Sequence, residues 1–226
     1  MKPVGCDREF AGANSDAAGF VLAGGQSSRM GQDKALVNFA GEPLIVRSLR
    51  ILHEAGLSAS IAGARSNLSS FASVVPDPAS ELGPLSGVCA ALASTSARYA
   101  VFVPIDQPFL PSSLLVFLLH HARITGRAVT IPSVSGFDQT FPAVLDRAVL
   151  PTLQSALAAG RGGCLQAFQA AATVLGQSVS CVPTELFAQT GHVTHPHALP
   201  PYQWFYNVNS PVDLERAEAI YRRRIA

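Results

Sequence analysis

Short apolar runs alternate with stretches of helical period through the first half of the chain. Phe20-Val21-Leu22-Ala23 and Tyr99-Ala100-Val101-Phe102-Val103-Pro104-Ile105 are apolar throughout, as strands buried on both faces are. Ser58 to Ala62 and Val74-Val75 read as two more strands. Leu44, Ile45, Ser48, Leu49 and Leu52 fall on one face of a helix that Pro43 opens and Gly56 stops. Residues 35–39 read as a short extended piece. A small-residue helix is predicted over Val88 to Ala93, and another, capped by Ser112, runs to His121. The second half is less regular. Strands are predicted at Ala128–Ile131 and Thr140–Leu145, separated by a loop over Pro132–Gly136. Helices follow at Arg147–Ala159 and Cys164–Ala172, then a strand at Gln177–Val182. Residues 183–203 show prolines and histidines without period and read as a long loop, and 204–209 as extended. Ser210-Pro211-Val212-Asp213 is a strong helix start, with Ser at N-cap, Pro at N1 and Asp at N3.

This alternation predicts an α/β fold with a doubly wound, mostly parallel sheet flanked by helices. Such folds bind ligands outside the carboxyl ends of their strands. Residues 1–18 read as a loose tail and 19–226 as a single domain. A hydrophobic share of 48% with 14% charged residues supports a well-buried core. The net charge of +1 gives no footprint for nucleic acid or an anionic membrane. No apolar run approaches the length of a membrane span, and the N-terminus lacks a signal-type apolar region, so a cytoplasmic protein is expected. Cysteines at 6, 89, 164 and 181 are scattered, without metal-binding spacing. His192, His195 and His197 lie in a proline-rich stretch with no carboxylate or cysteine partner nearby, and read as polar loop residues.

The candidate chemistry sits at strand ends. After Leu22-Ala23, Gly24-Gly25 lets the backbone turn without Cβ interference, and the cations Arg29 and Lys34 follow five residues apart. A strand opening into a glycine loop with two cations suits a polyphosphate, because amides and cations face its oxygens together. Neither GxxxxGK[ST] nor GxGxxG is present. Asp77 follows the Val74-Val75 strand, and Asp106 ends the most strand-like run of the chain. Asp106 is the natural Mg²⁺ ligand, since that hard cation is held by one or two carboxylates plus phosphates and water.

The string LAGGQSSRMGQDKAL closely resembles the nucleotide-binding loop of the molybdenum cofactor guanylyltransferases and their nucleotidyltransferase relatives. VFVPIDQPFLP resembles that family's strand and Asp-x-Pro motif, GPLSG its GPLAG turn, and FYNVNSPVDL its C-terminal Asn-x-Asn segment. The resemblance runs from about Gly19 to Ala219. It implies a Rossmann-like fold of the nucleotidyltransferase type that transfers GMP from Mg-GTP to molybdopterin cofactor. Residues 19–125 would then form the nucleotide-binding half, and 126–226 the acceptor-binding half with the terminal helix. By the same resemblance, Leu22, Ala23, Gly24, Gly25, Lys34, Asp77 and Asp106 bind nucleotide, and Asp106 binds the metal. Arg29, Lys34 and Asp106 serve catalysis, and Asn207 and Asn209 approach metal and triphosphate. Molybdoenzymes or other cofactor-biosynthesis proteins are the implied partners.

Two departures keep alternatives open. Where the guanylyltransferases often carry Asn after the second strand, this chain has Ala62-Gly63. Asp106-Gln107-Pro108 also occurs in the cytidylyltransferase relatives, although those usually show Ala-Ala-Gly and Asp-x-Asp in place of Ala23-Gly24-Gly25 and Asn207-Val208-Asn209. Transfer from CTP, or transfer to another phosphorylated metabolite by a related nucleotidyltransferase, is therefore the runner-up. A non-catalytic carrier of the cofactor is the reading from a different class, and the presence of both Lys34 and Asp106 disfavours it.

Overall fold

The computed structural model describes residues 16–24, 33–63, 66–77, 83–160 and 163–225. The described chain enters through β1 (Ala17–Leu22), three residues before its apolar run, because Ala17, Ala18 and Gly19 already pair with Tyr99, Ala100 and Val101. A 3-10 turn over Lys34–Leu36 leads to the paired strands β2 (Asn38–Phe39) and β3 (Glu42–Pro43), then α1 (Leu44–Glu54) and β4 (Ser58–Ala62). The piece expected to be extended over 35–39 is therefore half helical turn. Asp33 holds it by accepting the Ala35 N–H at 3.0 Å. β5 (Val74–Val75), α2 (Pro84–Ser94), β6 (Tyr99–Pro104) and α3 (Ser112–Thr125) follow. α2 starts earlier than expected because Pro84 suits a first helical turn and Gly83, at φ +83, supplies the bend before it. Ser112 opens α3 but does not cap it; Pro111 holds the cap position without a side-chain bond.

The second half continues with β7 (Val129–Val134), β8 (Phe137–Asp138), β9 (Ala143–Asp146), α4 (Leu150–Ala158) and α5 (Cys164–Val174). The loop expected over 132–136 shrinks to a two-residue turn at Ser135-Gly136, since Pro132 to Val134 stay in β7 and pair onward. β10 (Ser180–Pro183), α6 (Thr184–Gln189), α7 (Pro201–Trp204) and α8 (Pro211–Ile225) complete the chain. Residues 183–203 are thus not one long loop. Helices of six and four residues are too short to write a period into the sequence. The stretch 204–209 is not a strand either, because Trp204 ends α7 and the Val208 N–H goes to the Asp106 carbonyl at 2.8 Å.

Among the described residues the main sheet has eight strands in the order β10-β7-β9-β6-β1-β4-β5, with β8 beside β7. β9 runs antiparallel to both β6 and β7, while β1 pairs parallel with β4 and β6. Strand alternation assigns the two layers. Val21, Val101 and Val103 pack with α1, α3 and Trp204, whereas Phe20, Leu22 and Phe102 pack with α2, α4 and α5. Gly19 lets α1 approach the sheet, since a Cβ there would stand 2.9 Å from the Leu52 side chain. Among the described residues no helix is long and apolar enough to cross a membrane.

Candidate functional site

The chain leaves β1 toward β4 on one side and returns through β6 on the other. This reversal opens a crevice at the carboxyl ends of β1 and β6. The antiparallel β9 begins at the same edge, so the residues before it close the crevice from the third side. The resulting cavity, about 360 Å³, has Leu22, Gly24 and Pro84 on one wall. Asp106, Gln107, Lys34 and Asn207 line its floor, and Gln139, Thr140 and Phe141 the far wall.

Three distant segments meet at Lys34. Its ammonium lies 2.9 Å from Asp106 Oδ2 and 2.6 Å from Asn209 Oδ1. The 3-10 turn capped by Asp33 presents the lysine, and the end of β6 presents the carboxylate. Asn209 is held by the start of α8. Its N–H donates to Asp213 Oδ2 at 3.1 Å, the Ser210 hydroxyl donates to the same oxygen at 2.8 Å, and the Asp213 N–H lies 3.2 Å from Ser210 Oγ. This reciprocal cap pulls the Asp213 carboxyl below its ordinary range, chiefly through the Ser210 hydrogen bond. The helix start legible in Ser210 to Asp213 thus also fixes the residue that Lys34 bonds.

The glycine loop is described only at its beginning. The Ala23 N–H donates to the Ala62 carbonyl at 3.1 Å, which carries the sheet past Leu22. Gly63 runs alongside with φ +149, and a Cβ there would stand 3.1 Å from the Gly24 nitrogen. The Ala62-Gly63 departure therefore has a steric content: β4 leaves the sheet too close to Gly24 for a side chain at position 63. Gly25 and Arg29 lie outside the described residues.

Asp77 is brought near but not into the wall of the cavity. It is 6% exposed, and its Oδ2 accepts the Ser86 hydroxyl at 2.7 Å. That hydroxyl is equally close, 2.7 Å, to the Gly83 carbonyl, so its single proton serves one acceptor at a time. Asn207 lines the cavity and accepts from Gln107 Nε2 at 3.3 Å. Gln107 and the Gln139–Phe141 wall are functional candidates that sequence reasoning missed. Gln107 stands inside the Asp-x-Pro motif at a position the motif leaves open, and its Oε1 is buried without a hydrogen-bond partner.

Mg²⁺ fits the donors at the end of β6. Asp106 offers a partly exposed carboxylate with the Asn207 and Asn209 amide oxygens nearby, and this cation keeps phosphate and water oxygens for its remaining positions. Among the described residues no three His, Cys, Asp or Glu side chains converge on a common point. Thiolate chemistry is disfavoured, since burial, with Asp77 adding to it, pushes the Cys89 thiol up to about 11 and burial pushes Cys164 to about 12.

Sheet order, switch-point crevice and a lysine–carboxylate pair at its floor define an α/β protein of the nucleotidyltransferase type. The chain belongs to the MobA-like NTP transferase family, whose domain matches residues 19–174. It is 32% identical over 207 residues to the molybdenum cofactor guanylyltransferase of Rhodobacter capsulatus, covering 89% of this chain and 94% of that protein. The molybdenum cofactor guanylyltransferase of Xanthomonas euvesicatoria is 44% identical over 103 residues, 45% of this chain; the match spans about half of that protein, 52%. The fold is shared with molybdopterin-guanine dinucleotide biosynthesis protein A from Archaeoglobus fulgidus, at TM-score 0.73 and 24% identity, covering 91% of this chain and 99% of that one. The expected fold class and family are both borne out.

Proposed function

We propose that this chain is a cytoplasmic guanylyltransferase that transfers GMP from GTP to the terminal phosphate of molybdopterin cofactor. An acceptor phosphate oxygen forms a bond to the α-phosphorus, the bond to the β-phosphate oxygen breaks, and pyrophosphate leaves with that electron pair. The observation that carries this reading is the meeting of Lys34, Asp106 and Asn209 at the floor of the crevice. Positioning and charge neutralisation are what nucleotidyl transfer requires of a protein. Lys34, and by the family resemblance Arg29, offset charge that grows on the leaving pyrophosphate. Gly24, with Gly25 beyond it, gives the phosphates close access to backbone amides. Asp106 would hold Mg²⁺, which when bound neutralises phosphate oxygens and orients them. The residues around Gln139 to Phe141 face the nucleotide wall and suit the acceptor. The product would pass to a molybdoenzyme or its assembly partners.

The test is pyrophosphate release from GTP with and without molybdopterin cofactor, run beside Asp106→Asn. Release that depends on cofactor and falls at least about 100-fold in the variant supports the reading. Tight cofactor binding without release identifies a carrier, and equal turnover of the variant places the reaction elsewhere.

A further inference from the structure

The turn that presents Asp106 and Gln107 is gripped through its next two carbonyls. Arg47 Nε donates to the Pro108 carbonyl at 2.6 Å, and His195 Nε2 lies 3.1 Å from the Phe109 carbonyl. Neither grip lines the cavity, and the two come from distant parts of the chain, α1 and the segment between α6 and α7.

Each gripping side chain is itself locked. Arg47 is 9% exposed, and the other buried positions of its helix are leucines, isoleucines and Ser48. Its guanidinium lies over the rings of Phe39 and Tyr221, at 4.9 and 5.3 Å, and its Nη1 donates to Glu42 Oε1 at 2.8 Å. A buried cation with that many directed partners sits in one place. His195 stacks on Trp204 and accepts the His197 N–H at Nδ1 over 3.1 Å. With Nδ1 accepting, Nε2 carries the hydrogen and is the donor to Phe109. Trp204 is tied in turn through its Nε1 to the Leu199 carbonyl at 2.7 Å.

We infer that Arg47 and His195 are positioning residues for the reaction: by holding the Pro108 and Phe109 carbonyls they set where the Asp106 carboxylate and Gln107 carboxamide stand. A misplacement of about 1 Å at reacting groups costs up to about 100-fold in rate, and beyond Asp106, whose carbonyl takes the Val208 N–H, these two clamps hold the turn where β6 has ended. This assigns a task to the 183–203 segment that its sequence does not announce. The inference rests on Asp106 acting as proposed above.

Three variants test it in the full chain. His195→Leu removes the donor, His195→Gln returns an N–H near the Nε2 position, and Arg47→Lys keeps charge but loses the fork. His195→Leu and Arg47→Lys should lower kcat about 10- to 100-fold, with KM for GTP changed less than about threefold. His195→Gln should recover most of the loss. Mn²⁺ binding measured by paramagnetic resonance in the presence of GTP should weaken in the same order. Melting temperatures report folding separately, and Arg47→Lys can be judged from His195→Leu if it does not fold. Wild-type kcat in a folded His195→Leu, or equal losses in His195→Leu and His195→Gln, overturns the positioning role. If Asp106→Asn also turns over normally, the fault lies with the proposed function instead.

Discussion

The ammonium of Lys34 stands 2.9 Å from Asp106 Oδ2, although 72 positions separate the two residues. Both side chains keep some contact with water, 16% and 25% exposed. A pair so placed contributes little to stability, about 0–1 kcal/mol. It does keep a cation and an anion apart from bulk solvent at one point of the crevice floor. If GTP binds here as proposed, Lys34 would exchange the carboxylate for phosphate oxygens.

Lys34→Ala should therefore lower turnover about 100- to 1000-fold while shifting the melting temperature by no more than about 4 °C. Steady-state kinetics beside thermal melts separate these effects. Wild-type turnover in the folded variant would remove Lys34 from the reaction.

Gly63→Ala tests the close approach of β4 to the glycine loop. At φ +149 an L side chain is strained, and its Cβ would meet the Gly24 nitrogen at 3.1 Å. Strain of this kind costs about 1–3 kcal/mol. Relief is available only by displacing Gly24 or the exit of β4, so GTP affinity should fall by at least about tenfold. Calorimetric titration checks this, and unchanged affinity would show that Gly24 does not need its observed position.

Stability should fall as the medium turns acidic, through His195. Burial holds its pKa down at about 4, against an ordinary 6.5, and the neighbouring His197 and Arg47 act in the same direction while the Phe109 hydrogen bond opposes them. A base with a lowered folded pKa contributes fully above the unfolded value. Below about 6.5 the unfolded chain takes up a proton that the folded chain refuses, so stability is lost as pH falls toward about 4. The loss from this group is on the order of 3 kcal/mol at most. Urea melts at pH 7 and pH 5 should show a smaller drop for His195→Gln than for the wild type. Equal drops would mean that His195 does not titrate in that window.

What could be read in the sequence follows from how locally each feature is written. β1 and β6 were legible because burial on both faces leaves no polar residue in either run. Asp106 was legible as a strand-end carboxylate and Lys34 as a cation of the glycine loop, while Asn209 was indicated by the family resemblance; the turn after Asp33 and the start of α8 carry the last two to the end of β6. Arg47 was not legible. A lone arginine on an apolar helix face normally reaches water, and here Phe39 and Tyr221 cover it from both neighbouring and very distant positions. The reversal of β9 was hidden as well, because it depends on the short β7–β8 turn rather than on any pattern within β9. Asp77 looked like an open ligand at a strand end, yet α2 brings Ser86 over its carboxylate.

Preference for GTP over CTP is the remaining expectation, and the geometry says where it must come from. A purine needs a wider slot than a pyrimidine, and among the described residues nothing lies within 4 Å of where a Cβ on Gly24 would stand. Space alone does not exclude the smaller base, so discrimination requires hydrogen bonds to exocyclic groups. A site that makes such bonds rejects the wrong base because its own polar groups are left unpaired. Position 63 supplies no side chain, and Asp77 is engaged with Ser86. Backbone groups at the exits of β1 and β4, or the Asp77 carboxylate beside Ser86, are expected to read the base. Backbone readers are rigid and few, so a moderate preference is expected, on the order of 10- to 100-fold. Competition titration with equal GTP and CTP measures it. Ser86→Ala should then change the ratio if Asp77 takes part, and leave it alone if the backbone reads by itself. A clear preference for CTP would assign this chain to cytidylyl transfer.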